Sequence, residues 1–220
     1  MDLSRNTLIF IVTGIFLSIL FFLDFKKRKR KIFIQTYQFP KRLNSTLLQT
    51  YPHLTSEQIE LVLNGLKEYF HICNIAGKTM IAMPSQVVDI AWHDFILFTK
   101  EYELFCKKSF GRFLHHTPAE AMISKTKAQE SIKKVWLISC ERENIIPEYP
   151  DKLPILFKLD VLLKINDGFK YTIDCDEKYK EYYCAERICG KNTSITSCSG
   201  GSVGCSSGCS TGCSSGCGGS

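Results

Sequence analysis

The chain has 220 residues, and its 28 basic and 22 acidic side chains give a formal net charge of +6. Adjacent basic residues at positions 26–31 account for that excess, so the remainder of the chain is neutral. A neutral body lacks the clustered positive charge with which proteins bind DNA or RNA, so nucleic acid is not an expected partner.

Residues 8–23 form an almost unbroken apolar run. With its flanking residues the run approaches the ~20 residues that a helix needs to cross a bilayer. A helix also pairs its backbone groups internally, as lipid requires. We therefore expect a single-pass membrane anchor. A cleaved signal peptide and a buried core helix are the competing interpretations, but a signal peptide needs basic residues before the apolar run and small residues after it.

A cationic run follows the apolar segment directly, whereas a single arginine precedes that segment. Positive charge collects on the cytoplasmic side of membrane helices, so the N-terminus is expected outside and the soluble body in the cytoplasm. The same cations are expected to contact anionic lipid headgroups. They are Lys26, Lys27, Arg28, Lys29, Arg30 and Lys31.

Composition divides the chain into four segments. We expect a transmembrane anchor over residues 1–25, a basic juxtamembrane linker over 26–34, an α-helical domain over 35–190 and a tail over 191–220. The third segment is long enough to bury a core of its own. In a reducing cytoplasm the cysteines of the chain are expected to be thiols or metal ligands, not disulfides.

Apolar residues of the domain recur at helical spacing, so the predicted class is mainly α, with one small hairpin near its end. In chain order we predict a short helix after Pro40, a helix capped at Thr55 or Ser56 and ending near Gly77, a long helix over 86–108, a helix from Pro118 to about Arg142, a short helix within 153–163, and an extended segment over 169–173.

The long predicted helix is apolar on most of its sides, which indicates that it is packed on most of its sides. Trp92 and Tyr102 lie on its broad aromatic face and are expected in the core, with Cys106 as a buried thiol. Asp89 and His93 lie on the opposite face. Because that face is also partly apolar, they are expected to be partly buried and to need polar partners.

This helix and the loop after it carry a distinctive motif. Asp89, Trp92, His93 and Tyr102, followed by His115 or His116, resemble the pattern of the glycine-rich domain-containing protein-like family. Two later stretches, residues 156–160 and 168–171, are similar to its bacterial members, and the resemblance covers about residues 80–175. Plant members carry a second histidine where this chain has Phe95. The family implies a fold but no established reaction.

The polar residues of the motif allow three interpretations. In the first, Asp89 accepts a hydrogen bond from His93 one turn later, and His115 or His116 docks from the loop to complete a structural cluster. In the second, His93 and a loop histidine, preferably His116, bind a divalent metal such as zinc, with Asp89 as ligand or orienting group. In the third, His93 is a general base paired with Asp89.

The tail, residues 192–220, has no charged or aromatic side chain and is expected to be disordered. Four of its five cysteines recur at every fourth position, and four thiolates could hold zinc or Cu(I). They are Cys205, Cys209, Cys213 and Cys217. A redox-reactive tail, a lipid-modified tail and a plain low-complexity linker are the alternatives.

The sequence thus favours a non-catalytic, membrane-tethered module whose helical domain binds a protein partner. One alternative is a metal-dependent enzyme centred on Asp89, His93, His115 and His116. Another is metal capture by the cysteine-rich tail.

Overall fold

The computed structural model describes residues 2–116, 125–173, 183–184 and 188. Within these ranges the chain is mainly α-helical, as predicted, with one two-stranded sheet. The elements are α1 Asp2–Thr36, α2 Arg42–Thr50, α3 Ser56–Ala76, α4 Gln86–Leu97, α5 Thr99–Phe110, α6 Lys125–Glu143, α7 Ile155–Leu162, β1 Tyr171–Thr172 and β2 Tyr183–Cys184. The predicted tail lies outside the described residues.

The small sheet differs from the predicted hairpin. Strands β1 and β2 pair in parallel, with Tyr171 opposite Tyr183 and Thr172 opposite Cys184, whereas a hairpin is antiparallel. The two strands are separated by about ten residues, while a hairpin loop has two to five.

Helix α1 is continuous from Asp2 to Thr36 and contains both the apolar run and the basic run. Its portion Thr7–Thr36 is the one helix of the described chain long and apolar enough to cross a membrane, and its apolar window is unburied. This criterion is one of length and composition, which a signal sequence near the N-terminus meets as well.

The C-terminal end of α1 belongs to the core of the domain. Ile34 is fully buried, and the rings of Phe33 and Tyr37 lie 5.8 Å and 4.7 Å from the ring of Phe105 in α5. Because these contacts begin within the same helix that carries the basic run, the apolar segment leads into the domain without an intervening loop.

One cation of the basic run is held against the domain. Arg30 is half-buried, and its guanidinium lies against Gly111, the residue that caps α5. Gly111 has a φ of 72°, in the left-handed region that favours glycine, and a Cβ there would collide with Arg30. Lys108 lies 5.4 Å above the ring of Phe33. These contacts join α1 to the end of α5.

Helix α3 is the central element of the core. It begins as predicted at Thr55, whose hydroxyl accepts from the backbone N–H of Gln58 while the Gln58 side chain accepts from the N–H of Thr55. It ends before Gly77. At Gly65 an added Cβ would lie 2.6 Å from Leu159 Cδ1, so the glycine allows α7 to approach α3 closely.

The helix predicted over residues 86–108 is two helices. Phe98, with φ −80° and ψ 60°, ends α4 and precedes α5. In one straight helix Trp92 and Tyr102 would be about 15 Å apart along the axis, yet the Trp92 Nε1–H donates to the Tyr102 hydroxyl at 3.1 Å. The break at Phe98 therefore lets both aromatic residues enter the same buried contact.

Four cysteines fall within the described residues. Cys73, Cys106 and Cys140 are buried, as expected for Cys106, and burial raises the pKa of Cys73 and Cys106. Neither is activated as a nucleophile, because the thiolate is the reactive form. Cys184 is disulfide-bonded, so the expectation that the cysteines are reduced thiols is wrong for that residue.

His71 joins α3 to α1 in a pH-sensitive contact. It is buried, and its Nε2 lies 3.1 Å from Gln35 Oε1. Burial, with a further contribution from Arg142, lowers the pKa of His71 to about 4. Protonation is therefore more favourable in the unfolded chain, where a histidine titrates near pH 6.5. The stability that this residue contributes is present above about pH 6.5 and is lost as the pH falls toward 4.

The variant His71→Gln should accordingly be less sensitive to acid than the wild type. Between pH 7 and pH 4 the wild-type chain should lose about 3 kcal/mol more free energy of unfolding than the variant, since one pKa unit corresponds to about 1.4 kcal/mol. Urea unfolding of the detergent-solubilised chain, followed by circular dichroism at both pH values, measures the difference. Equal losses in the two proteins would contradict the assignment.

Candidate functional site

Three polar residues of the sequence motif converge beside helix α4. Asp89 and His93 lie one turn apart on α4, and His116 reaches them from the loop after α5. His116 Nε2 is 2.9 Å from Asp89 Oδ1, and His116 Nδ1 is 3.3 Å from His93 Nε2. One ligand atom from each residue can be chosen so that all lie within 4.8 Å of one another. These three side chains could therefore hold a metal ion.

The hydrogen bonds differ from the predicted pairing. His93 Nε2 and Asp89 Oδ2 are 3.8 Å apart, too far for a hydrogen bond. Asp89 accepts instead from Nε2–H of His116, which leaves the His116 Nδ1 lone pair facing His93. A carboxylate on the far nitrogen of a histidine is the usual way to fix the tautomer of a metal ligand. The general-base interpretation requires Asp89 to orient His93, and the two side chains are not hydrogen-bonded.

The three side chains of the cluster differ in their exposure to solvent. The exposed fractions of the side chains are 11% for His116, 21% for Asp89 and 51% for His93. The ring of His116 also packs edge-on against Trp92, with centroids 4.3 Å apart. His116 and Asp89 are therefore fixed by their surroundings, whereas His93 forms the solvent side of the cluster.

A buried hydrogen-bond chain positions the loop that carries His116. The Trp92 indole donates to the Tyr102 hydroxyl, which in turn donates to the Leu114 carbonyl at 2.6 Å. Both side chains are almost fully buried, and burial raises the pKa of Tyr102 well above its ordinary value. Tyr102 therefore stays protonated and keeps its donor directed at the loop.

The other loop histidine does not join the cluster. The ring of His115 lies 4.9 Å from the ring of Phe113, and the side chain is exposed. Five of the six predicted motif residues are therefore gathered in one place, while His115 points elsewhere. Its neighbour His116 is the loop histidine of the site.

Asp160 of α7 fixes the start of α4, a role that sequence reasoning missed. Its carboxylate accepts from the Ser85 hydroxyl at 2.7 Å and from the backbone N–H groups of Gln86, Val87 and Phe169 at 2.7, 3.2 and 2.8 Å. Burial raises the pKa of this carboxyl, and its four donors act in the opposite direction. The signal was an acid on the buried face of a short helix whose other residues, apart from Lys158, are apolar.

A surface groove lies next to the cluster and shares His93 with it. It encloses about 420 Å³ and is open to solvent. We call it the α4 groove; its lining residues are Thr46, Ile90, His93, Asp94, Ile96 and Leu97. Most of them lie on one stripe of α4. The groove brings an apolar wall and a carboxylate to the exposed side of the candidate site.

The remaining predicted site residues fall at the two ends of the chain. In the basic run, Arg28 pairs with Asp24 at 2.8 Å and Lys29 lies 4.7 Å over the ring of Phe25, and every side chain except Arg30 is exposed. The predicted tail ligands lie outside the described residues.

Fold and site together define a helical domain with a histidine–carboxylate cluster, preceded by a helix long enough to span a bilayer. The family model for UCP032817-like proteins matches residues 29–192, which is more than half of the chain. The chain belongs to this family, which is uncharacterised. No curated protein and no solved structure matches the chain.

The matched range includes the docked end of α1 and the whole candidate site. The apolar run and most of the tail lie outside it. The family match therefore concerns the domain and carries no information about the apolar segment. It also does not carry the glycine-rich domain name suggested by the motif.

Proposed function

We propose that the domain binds a divalent metal ion, zinc in first place, through His93 and His116, with Asp89 orienting the ring of His116. The observation that carries this proposal is the 3.3 Å separation of His93 Nε2 and His116 Nδ1. Two nitrogens bound to one tetrahedral zinc at 2.0–2.1 Å are about 3.3 Å apart. The two nitrogens thus already have the spacing that a shared metal ion requires.

The chemistry open to such a site follows from its ligand number. His93 Nε2 and His116 Nδ1 fill two positions of a tetrahedron while Asp89 holds the far nitrogen of His116, so positions remain for water or substrate, as in catalytic zinc sites. A metal ion in that setting lowers the pKa of bound water and polarises carbonyl groups. His93 is the exposed ligand, so the open position is expected on its side of the cluster.

Replacing His93 with alanine should remove the metal. Loss of a ligand should reduce affinity by at least about 100-fold, since changes to outer partners alone cost 10- to 100-fold. The full-length chain, purified in detergent and equilibrated with Zn²⁺, should contain one equivalent by elemental analysis, and the His93→Ala variant none. Co²⁺ substitution should give the absorption of a tetrahedral site in the wild type only.

The neighbouring histidine supplies a matched control. His115→Ala should keep the full equivalent, because that ring packs on Phe113 and not on the cluster. A folded wild-type chain that binds no metal would show that the cluster is a structural hydrogen-bond network, as in the first interpretation. Equal loss in both histidine variants would point to a general effect on folding.

Metal capture by the tail is tested in the same preparation. The thiols of Cys205, Cys209, Cys213 and Cys217 suit soft metals. A full-length variant with these four cysteines changed to serine should lose the bound metal if the tail is the site, and should keep it if the domain is. The two proposals thus predict opposite results from one measurement.

A second candidate function is protein interaction. The α4 groove favours it, because the groove is open and its floor is largely apolar. The gathering of Asp89, Trp92, His93, Tyr102 and His116 also supports, as a proposal, a relation to glycine-rich domain-containing proteins.

We further propose that α1 anchors the chain with its body in the cytoplasm. The cationic run after the apolar segment supports this orientation, and its exposed lysines are placed to meet anionic headgroups. The disulfide at Cys184 favours the opposite side, since disulfides persist in oxidising compartments. Labelling intact cells with a membrane-impermeant thiol reagent after reduction decides between the two sides.

A further inference from the structure

We propose that the α4 groove binds a peptide segment of a partner protein in which an aliphatic side chain stands next to a lysine or arginine. The proposal rests on protein interaction, the second candidate function, and names the chemistry of the partner.

The carboxylate of Asp94 selects the charge of the partner. Its Oδ2 atom is buried and has no hydrogen-bond partner. Ionised carboxylates only accept hydrogen bonds, and a buried oxygen without a donor calls for an explanation. No cation of the described chain pairs with Asp94. A lysine or arginine side chain entering the groove would supply the opposite charge to the Asp94 carboxylate, which lines the groove.

The apolar wall selects the second feature of the partner. Leu97, in the last turn of α4, is 75% exposed, and Ile90 lies two turns earlier on the same stripe, half-buried. Covering such side chains is favourable at roughly 25 cal/mol per Å². An aliphatic side chain placed beside the cation would cover Leu97 while the charge reaches Asp94.

The openness of the groove indicates a chain segment and not a small molecule. Pockets for small molecules usually bury 70–90% of the ligand surface, whereas this groove is open along one side. A peptide crossing it needs only one or two side chains to be covered. His93 at its edge would bring the candidate metal position next to the peptide backbone.

Two synthetic peptides test the chemistry. One is acetyl-Gly-Leu-Leu-Lys-Gly-Gly-amide, and the other has norleucine, an uncharged side chain of similar shape, in place of lysine. Both carry a fluorophore, and binding to the full-length chain in nanodiscs of zwitterionic lipid is followed by anisotropy. Neutral lipid keeps the lysine peptide from binding to the membrane itself.

The lysine peptide should bind about tenfold more tightly than the norleucine peptide, the effect of one charge-assisted hydrogen bond. Asp94→Asn should abolish this preference, and Leu97→Ser should weaken both peptides several-fold. Leu97 is exposed, so that variant tests the groove even if Asp94→Asn disturbs folding. Glu103→Gln, which removes an exposed acid on α5, should change neither affinity.

Equal affinity of the two peptides for the wild type, or a preference that survives in Asp94→Asn, would overturn the assigned partner chemistry. If neither peptide binds, protein interaction at this groove fails with it. Zinc content measured in the same samples reports separately on Asp89, His93 and His116.

Discussion

Asp160→Ala should lower the free energy of unfolding by about 4 kcal/mol. The substitution leaves the Ser85 hydroxyl and three backbone N–H groups without their acceptor, and each buried group without a partner costs about 1–3 kcal/mol. Domains of this size are stable by only 5–15 kcal/mol. Urea unfolding of the full-length chain at pH 7 measures the loss.

Two variants make that result specific. Asp160→Asn keeps one acceptor oxygen but turns an NH₂ group toward N–H donors, so its loss should be intermediate. Asp151→Ala removes an exposed aspartate just before α7 and should change stability by less than about 0.5 kcal/mol. A small effect of Asp160→Ala would mean that water replaces the carboxylate at the start of α4.

Tyr102→Phe should affect both stability and metal binding. Without the hydroxyl, the Trp92 indole N–H and the Leu114 carbonyl lose their partner in the core, at a cost of about 2–4 kcal/mol. The Leu114 contact also holds the loop that carries His116. We therefore expect zinc affinity to fall about 10- to 100-fold, the usual range for a residue that orients a ligand.

A second tyrosine gives the matched comparison for Tyr102. The Tyr51 hydroxyl donates to Asp167 at 3.0 Å, away from the site. Tyr51→Phe should therefore cost only about 1 kcal/mol and leave zinc affinity unchanged. Competition with a chromogenic chelator measures the affinity of both variants. If Tyr102→Phe lost stability but kept wild-type affinity, the hydrogen-bond chain would support only the fold.

The helical class was predictable because its signals are local. Apolar spacing and a cap at Thr55 mark α3, and Gly77 marks its end, without any knowledge of tertiary contacts. The break at Phe98 was not predictable, since every residue around it suits a helix. It depends on the contact between Trp92 and Tyr102, which only the folded chain creates.

The sequence led us to expect Asp89, His93 and a loop histidine close together, but not the hydrogen bonds that they form. Helical spacing places Asp89 one turn before His93, so their pairing was the natural expectation. In the structure Asp89 pairs with His116 instead. The loop brings the His116 ring to 2.9 Å from Asp89, whereas His93, one helical turn away, remains at 3.8 Å. The choice of His116 over His115 likewise depends on the path of the loop, which the Leu114 carbonyl fixes.

The docking of α1 has a mechanical consequence. Helix α1 packs into the core through Phe33 and Ile34, so no flexible linker separates its apolar segment from the domain. In a bilayer, the helix and the domain would therefore move as one rigid body. Hydrophobic mismatch tilts membrane helices, and a tilt of α1 would change the orientation of the α4 groove relative to the membrane plane. The thickness of the bilayer would thereby affect which surface of the domain faces a neighbouring protein.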